Sequence, residues 1–179
     1  MNGRSPKGTY LVADTGNPAD GGRVSIAQRD QPEKFHDIFT YPRFAEVYFS
    51  PDERYLIIDN RNGSDSRECV VLSRSDKPPF FVNAHKIDEV CWKLFWSQHK
   101  ISGKILYDHR STYFCEWLDN SHFVVDLQGN HFFPDPGAKK WSLDGGWRCV
   151  YDAVRDKAST SRYTDSYNKA KAEFETDFK

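Results

Sequence analysis

The chain carries no large surplus of either charge and no apolar run of membrane-spanning length. Its 179 residues include 25 basic and 26 acidic side chains, which leaves a formal net charge of −1. A balanced charge provides no field of one sign to attract nucleic acid or an anionic membrane surface. The sequence therefore predicts no nucleic-acid partner and no membrane span.

Several motifs that identify enzymes are also missing. The sequence contains no P-loop, no GxGxxG, no HExxH and no GxSxG. It therefore lacks the usual signatures of nucleotide binding, zinc proteolysis and serine hydrolysis on a constrained turn. These absences favour a non-enzymatic protein, and we expect no cofactor.

The cysteines show no CxxC spacing, which argues against a metal or redox motif. Each lies in an apolar context, which favours buried free thiols, although an even number permits three disulfide pairings in an exported chain. The N-terminal sequence has no secretory h-region. Two histories stay open: a cytoplasmic protein, or a periplasmic or secreted mature chain that has lost its signal peptide. The redox state stays open for all four cysteines, which are Cys69, Cys91, Cys115 and Cys149.

Aromatic residues are abundant, with five Trp, nine Tyr and thirteen Phe against one Met. Aromatic side chains favour β-sheets and also favour binding faces, since Tyr and Trp combine apolar area with a polar tip. The length and the 38% share of hydrophobic residues predict a single domain over 1–179 with a sizeable core.

Short apolar runs separated by polar turns predict two antiparallel β meanders. The first covers 9–74 and includes the hairpin of "TYLVAD" and "RVSIAQRD", and then "AEVYF", "RYLIID" and "ECVVLSR". The second covers 104–154 and includes "STYFCEWL", "SHFVVDLQ" and "WRCVYDAV". The fold class predicted is α+β, mainly antiparallel β.

Two segments have helical rather than alternating periodicity. Within 84–98, apolar residues recur at helical spacing, with Asn83 as the expected N-cap and with Asp88 and Glu89 near the positive N-terminal end. A second amphipathic helix is predicted over 161–178. The apolar stripe of the first helix comprises Ile87, Val90, Cys91, Leu94 and Phe95, and that of the second comprises Tyr163, Tyr167, Ala170, Phe174 and Phe178.

One segment of the first meander recurs in the second. "DERYLIID" (52–59) aligns with "DNSHFVVD" (119–126) at an offset of 67 residues, with Asp at both ends of each copy. The leading Asp of each copy falls in a turn, where its side chain can accept bonds from nearby backbone N–H groups. We therefore predict structural roles for all four carboxylates, which are Asp52, Asp59, Asp119 and Asp126.

The segment "FSPDERYLIID" (49–59) resembles the hairpin signature of TolB-type, PD40-like β-propeller repeats, in which Ser-Pro-Asp begins a turn ahead of an apolar strand. Residues 117–126 match more loosely, with Leu118 in place of the Pro, and Glu53 stands where the family usually has Gly. The resemblance implies propeller-like hairpin repeats. A complete propeller needs at least about four blades, so we expect a propeller-like fragment or an independent α+β domain that uses the same hairpin.

The candidate binding residues are aromatic and lie around one loop. Trp141 and Trp147 flank "SLDGG", and Phe132 and Phe133 precede "PDPG". Aromatic residues on loops often contact a partner. The sequence therefore predicts a binding surface formed by Phe132, Phe133, Trp141 and Trp147.

A metal site is the alternative. His122 and Asp126 share one face of a strand because side chains alternate, and His131 follows after a turn, so the three side chains are candidate metal ligands.

The sequence favours a non-enzymatic binding protein of bacterial type that presents aromatic loops to a protein partner, as an inhibitor, an immunity factor or an assembly factor. Two alternatives stay open. One is a small hydrolase or metal-dependent enzyme that uses the histidine-bearing segment 109–131. The other is a carbohydrate-binding module, because Trp and Tyr rings suit the faces of sugars.

Overall fold

A computed structural model of the chain describes residues 2–16, 21–63, 66–99, 107–132, 141–142 and 146–177. These residues form three antiparallel β-sheets and two α-helices. The predicted fold class, α+β with mainly antiparallel β structure, is confirmed.

The N-terminal sheet contains four strands in chain order. They are β1 (Asn2–Arg4), β2 (Tyr10–Asp14), β3 (Gly22–Gln28) and β4 (His36–Tyr41). The predicted hairpin is the pair β2–β3, in which Val12 lies opposite Ile26. The sequence prediction did not include β4, because "HDIFTY" mixes polar and apolar residues without clear alternation.

The central sheet contains the next four strands, also in chain order. They are β5 (Phe44–Phe49), β6 (Tyr55–Arg61), β7 (Arg67–Arg74) and β8 (Phe81–Asn83). In β6, Leu56 and Ile58 pack against the N-terminal sheet, whereas Ile57 packs on the opposite face. The central sheet is therefore buried on both faces, which explains the continuous apolar run "LII".

The C-terminal sheet is built around the two longest strands. They are β9 (Tyr107–Trp117) and β10 (His122–Phe132), and the other strands are β11 (Trp141–Ser142), β12 (Trp147–Asp152) and β13 (Lys157–Ser159). Strand β10 pairs with β9 on one edge and with both β12 and β11 on the other. The residues Phe123, Val125 and Leu127 face the central sheet and belong to the same core as Ile57.

The first helix, α1 (Ile87–Gln98), packs against β7, β12 and β13. Ile87, Cys91 and Phe95 of the predicted stripe are buried, and Trp92 beside them is buried as well. The predicted N-cap is wrong, because α1 begins after Lys86 and Asn83 is the last residue of β8. The side chain of Asn83 instead accepts the backbone N–H of His85 at 3.2 Å, so it stabilises the turn that precedes the helix.

The second helix, α2 (Arg162–Asp177), packs against β12 of the C-terminal sheet. Its start is fixed by a reciprocal pair of hydrogen bonds between Ser161 and Thr164, of 2.8 and 3.3 Å, an arrangement like a capping box. The cation of Arg148 lies 3.8 Å from the ring centroid of Tyr167, so a cation–π contact joins α2 to β12. Neither helix, over the part described, is long and apolar enough to cross a membrane.

Both leading aspartates of the sequence repeat lie in turns, as predicted. In the β5–β6 turn, Oδ1 of Asp52 accepts the backbone N–H of Arg54 at 3.2 Å. In the β9–β10 turn, Oδ1 of Asp119 accepts the backbone N–H groups of Ser121 and His122 at 2.7 and 2.8 Å. The two carboxylates therefore have the same local structural role.

Candidate functional site

The predicted aromatic residues lie at the far end of the β9–β10 hairpin. Strand β12 pairs with β10 only from His122 to Leu127, whereas β9 pairs with β10 as far as Phe132. The last residues of β10 pair with β11 instead, where Trp141 lies opposite His131. On the other side, Tyr107 lies opposite Phe132. The backbone therefore brings Tyr107, Phe132 and Trp141 onto three adjacent strands, and we call this region the aromatic end.

Phe133 and Trp147 are the other two predicted binding residues. Phe133 lies outside the described residues. Trp147 is only 5% exposed, and its ring packs edge-on against Phe95 of α1, with the centroids 5.4 Å apart. Because β12 begins with this residue on the face that α1 covers, Trp147 belongs to the core, so its prediction as an exposed contact residue is corrected. For Phe132 and Trp141 the structure describes the backbone.

His122, one of the three candidate metal ligands, contacts two carboxylates through its ring nitrogens. Its Nδ1 lies 2.8 Å from Oδ2 of Asp119, and its Nε2 lies 3.5 Å from Oδ2 of Asp152. These contacts link the β9–β10 turn to the end of β12. Within the described ranges, no group of three or more His, Cys, Asp or Glu residues is arranged to hold a metal ion, and the side chain of His131 lies outside them.

Asp126 and Asp59, the trailing residues of the repeat, are both buried and both lie near an arginine of the next strand in the sheet. Nε of Arg148 donates to Oδ2 of Asp126 at 3.1 Å, and Nη1 of Arg67 lies 3.8 Å from Oδ1 of Asp59. Burial raises the pKa of both carboxyl groups despite the nearby guanidinium, to about 6 for Asp59. This recurrence agrees with the structural role predicted for the pair.

All four cysteines are free thiols. Cys69, Cys91 and Cys149 are buried, and Cys115 is half-buried. Burial raises the pKa of Cys115 to about 11 and also raises the pKa of Cys69 and of Cys91. Since the thiolate is the reactive form, these side chains act as small apolar groups at neutral pH.

A chain of four polar side chains, which the sequence prediction missed, links the central sheet to the C-terminal sheet. Oγ of Ser73 lies 2.7 Å from Nε2 of His85. On the other side of the ring, Nδ1 of His85 lies 3.2 Å from the hydroxyl of Tyr151 and 4.0 Å from Oδ1 of Asp156. The Tyr151 hydroxyl in turn donates to Asp156. The pair Ser73 and His85 is far in the sequence from the pair Tyr151 and Asp156, with His85 and Tyr151 separated by 66 positions, so no local motif reveals the arrangement, and we call these four residues the Ser73–Asp156 chain.

The protonation states of His85 and Tyr151 decide which group donates and which accepts in each hydrogen bond of the Ser73–Asp156 chain. Burial lowers the pKa of His85, although Asp156 opposes this effect, so the imidazole is neutral at pH 7. Burial and the bond to Asp156 raise the pKa of Tyr151, which keeps its proton. A neutral imidazole that donates from Nδ1 to Tyr151 presents Nε2 as an acceptor for the Ser73 hydroxyl.

A cavity of about 200 Å³ lies beside His85, and its wall includes Asn83, Lys86 and the first turn of α1.

The chain was also compared with known proteins: neither models of known protein families nor characterised proteins give a match.

Proposed function

We propose that this chain is a binding protein that presents the aromatic end to a protein partner. The observation that carries the proposal is the strand register, which places Tyr107, Phe132 and Trp141 on three adjacent strands beyond the end of β12. Aromatic residues gathered in one region dominate the binding energy of many protein interfaces.

The part of the sheet next to the aromatic end is packed into the core. Trp147 and Leu127 lie opposite each other in the register of β12 and β10, and both are buried in the core shared with α1. Binding surfaces are most effective when a packed scaffold holds them in place. An inhibitor, an immunity factor or an assembly factor would each act through such a surface.

The propeller-like character of the hairpin units is part of the proposal. Leu56 and Ile58 of β6 face the preceding N-terminal sheet, and Phe123 and Val125, at equivalent positions of the repeat, face the preceding central sheet. Each unit thus turns the same face towards the sheet before it, as stacked blades do. The described residues do not close into a ring, so we propose a stack of repeated units rather than a whole propeller.

The test is affinity capture of partners from the source organism with wild-type protein and with Trp141→Ala, followed by calorimetry with the partner identified. We expect Trp141→Ala to weaken binding by more than about 2 kcal/mol, the level that defines a hot spot, while thermal stability stays nearly unchanged. Phe44→Ala is the matched control, because Phe44 is an aromatic residue that is 41% exposed on β5, in the central sheet.

Equal affinity of Trp141→Ala and wild type for the same partner would refute the assignment of this surface. A glycan array run in parallel separates the carbohydrate alternative, since Trp141-dependent binding to sugars without a protein partner would replace the proposal with a carbohydrate-binding function.

A further inference from the structure

We infer that Ser73 is a nucleophilic serine and that His85 is its general base, at a site separate from the aromatic end. The inference goes beyond the proposed binding function and does not depend on it. It rests on the Ser73–Asp156 chain, in which a hydroxyl contacts an imidazole as in serine hydrolases, and in which the hydroxyl of Tyr151 stands between the imidazole and the carboxylate.

The first contact meets the geometric requirement for activation of a serine. The 2.7 Å separation of Oγ of Ser73 and Nε2 of His85 is within the range in which a base removes a proton from a nucleophile. Burial keeps the ring of His85 neutral, since its side chain is only 7% exposed. Ser73, in contrast, is partly exposed to solvent, as a residue that reacts with a dissolved substrate must be.

Tyr151 and Asp156 are positioning residues in this arrangement. The hydroxyl of Tyr151 donates to Asp156 and therefore accepts from Nδ1 of His85, which fixes the tautomer whose Nε2 can accept the serine proton. Asp156 is itself held in the left-handed region at φ 52°, an uncommon conformation for a residue other than glycine. Its carboxylate also lies 3.4 Å from the backbone N–H of Lys86, so it is held near His85 from two sides.

The neighbours of Ser73 indicate the class of substrate. In the central sheet Ser73 lies opposite Tyr55 on one side and opposite Val82 on the other, and directly opposed residues share one face of a sheet. Tyr55 is half-buried and Val82 is exposed. An apolar acyl group can therefore lie on the two side chains that flank the serine, and we assign esters of small apolar acids as the substrate class.

The chemical step needs only the ester and water. Oγ of Ser73 bonds to the acyl carbon while its proton passes to Nε2 of His85. The bond from the acyl carbon to the leaving oxygen then breaks, and His85 gives its proton to that oxygen, which departs as the alcohol. Water next attacks the acyl carbon while His85 takes a proton from the water. The bond from the acyl carbon to Oγ then breaks and His85 returns the proton to Oγ, which releases the acid and restores Ser73.

The test is labelling of the full chain with a fluorophosphonate, which modifies activated serines, followed by peptide mapping and by assay of p-nitrophenyl acetate hydrolysis. We expect the label on Ser73 and none on Ser73→Ala. His85→Gln should lower the labelling rate by at least roughly 100-fold, since general base catalysis typically contributes about 10²–10⁴. Ser121→Ala is the matched control: Oγ of Ser121 lies 3.4 Å from a ring nitrogen of His122, but that nitrogen is engaged by Asp119.

A second variant keeps the test valid if Ser73→Ala is unstable. Ser73→Cys preserves a donor to His85, and we expect it to react with iodoacetamide faster than the same variant combined with His85→Gln. No labelling of wild type, a label on another serine, or a rate unaffected by His85→Gln would each overturn the inference. The Ser73–Asp156 chain would then be a structural link between two sheets, and its variants would change thermal stability alone.

Discussion

The side chain of Asn168 in α2 makes both hydrogen bonds to the backbone of Arg148 in β12 that a neighbouring strand would otherwise make. Its Oδ1 accepts the backbone N–H of Arg148 at 2.7 Å, and its Nδ2 donates to the backbone carbonyl of the same residue at 2.9 Å. Strand β13 reaches β12 only from Val150 to Asp152, so Arg148 lies beyond the paired part of that edge. One carboxamide thus satisfies both polar groups of a residue at the end of a ladder.

The first prediction concerns this contact. Asn168→Ala should lower the free energy of unfolding by about 1–3 kcal/mol, because it leaves two backbone groups of Arg148 without their partner. Urea titration at neutral pH measures the change. Ser166→Ala on the same helix has an exposed side chain and should cost less than about 0.5 kcal/mol; equal losses in the two variants would contradict the role of Asn168.

The second prediction concerns Glu53, which has φ 63° at the position where the resembled repeat has Gly. Glu53 is buried, and its Oε1 accepts the backbone N–H of Lys7 at 2.6 Å. Both Glu53→Ala and Glu53→Gly lose this bond, but only glycine adopts a positive φ without strain. We therefore expect Glu53→Gly to be more stable than Glu53→Ala by about 1 kcal/mol in paired urea titrations, with both below wild type. An alanine variant as stable as the glycine variant would show that the backbone conformation costs nothing here.

The third prediction concerns the pH dependence of stability through Asp59. Its folded pKa is raised from 3.8 to about 6, chiefly by burial, so the folded state holds a proton that the unfolded state has already lost. The contribution of Asp59 to the free energy of unfolding is therefore fully present below pH 3.8 and is lost as the pH rises through about 6. Asp59→Asn removes this dependence, and we expect a flatter stability profile between about pH 4 and 6.

Above pH 6 the same variant should be more stable than wild type by roughly 1–3 kcal/mol, since one pKa unit corresponds to about 1.4 kcal/mol. Chemical denaturation across the pH range provides the measurement, with the exposed Glu33→Gln as the control for a change of net charge. An unaltered slope between pH 4 and 6 in Asp59→Asn would contradict the raised pKa.

The fourth prediction compares Phe95 and Leu94, two residues of the apolar stripe of α1 that differ in how deeply they are buried. Phe95 is 1% exposed and contacts Trp147, whereas Leu94 is only partly buried at the edge of the core. Phe95→Ala should cost about 3–5 kcal/mol, and Leu94→Ala should fall at or below the lower end of the usual 2–5 kcal/mol range. Guanidinium titration of the two variants is the measurement, and a larger loss for Leu94 would reverse the assigned orientation of α1.

The elements that were predicted correctly have strong periodicity. The stripe of α1 and the apolar runs of β6 and β10 stand out because burial requires them, and Asp52 and Asp119 mark turns through chemistry that acts within a few residues. The short strands β8 and β13 give no such signal, since three residues carry no measurable alternation. Asn83 has the right residue type for an N-cap, but the turn before α1 uses its side chain first.

The site could be predicted only in part, because its geometry depends on long-range pairing. Trp147 follows a glycine-rich loop in the sequence, and its burial depends on where α1 packs. Ser73, His85 and Asp156 come from three separate segments, and their meeting depends on how the central and C-terminal sheets face each other. Local patterns contain no information on that arrangement.

Because the central sheet is buried on both faces, we expect its strands to be the last part of the molecule to unfold locally. Leu56, Ile57 and Ile58 of β6 are all inaccessible to solvent, so their amides exchange with water only when the packing on both faces is lost. The N-terminal sheet packs on the central sheet and α2 packs on β12, so we expect each to open as a separate cooperative unit. In hydrogen exchange the amides of β6 should therefore be the slowest of these regions and should report global unfolding, while those of β2 and of the first turns of α2 exchange through smaller openings.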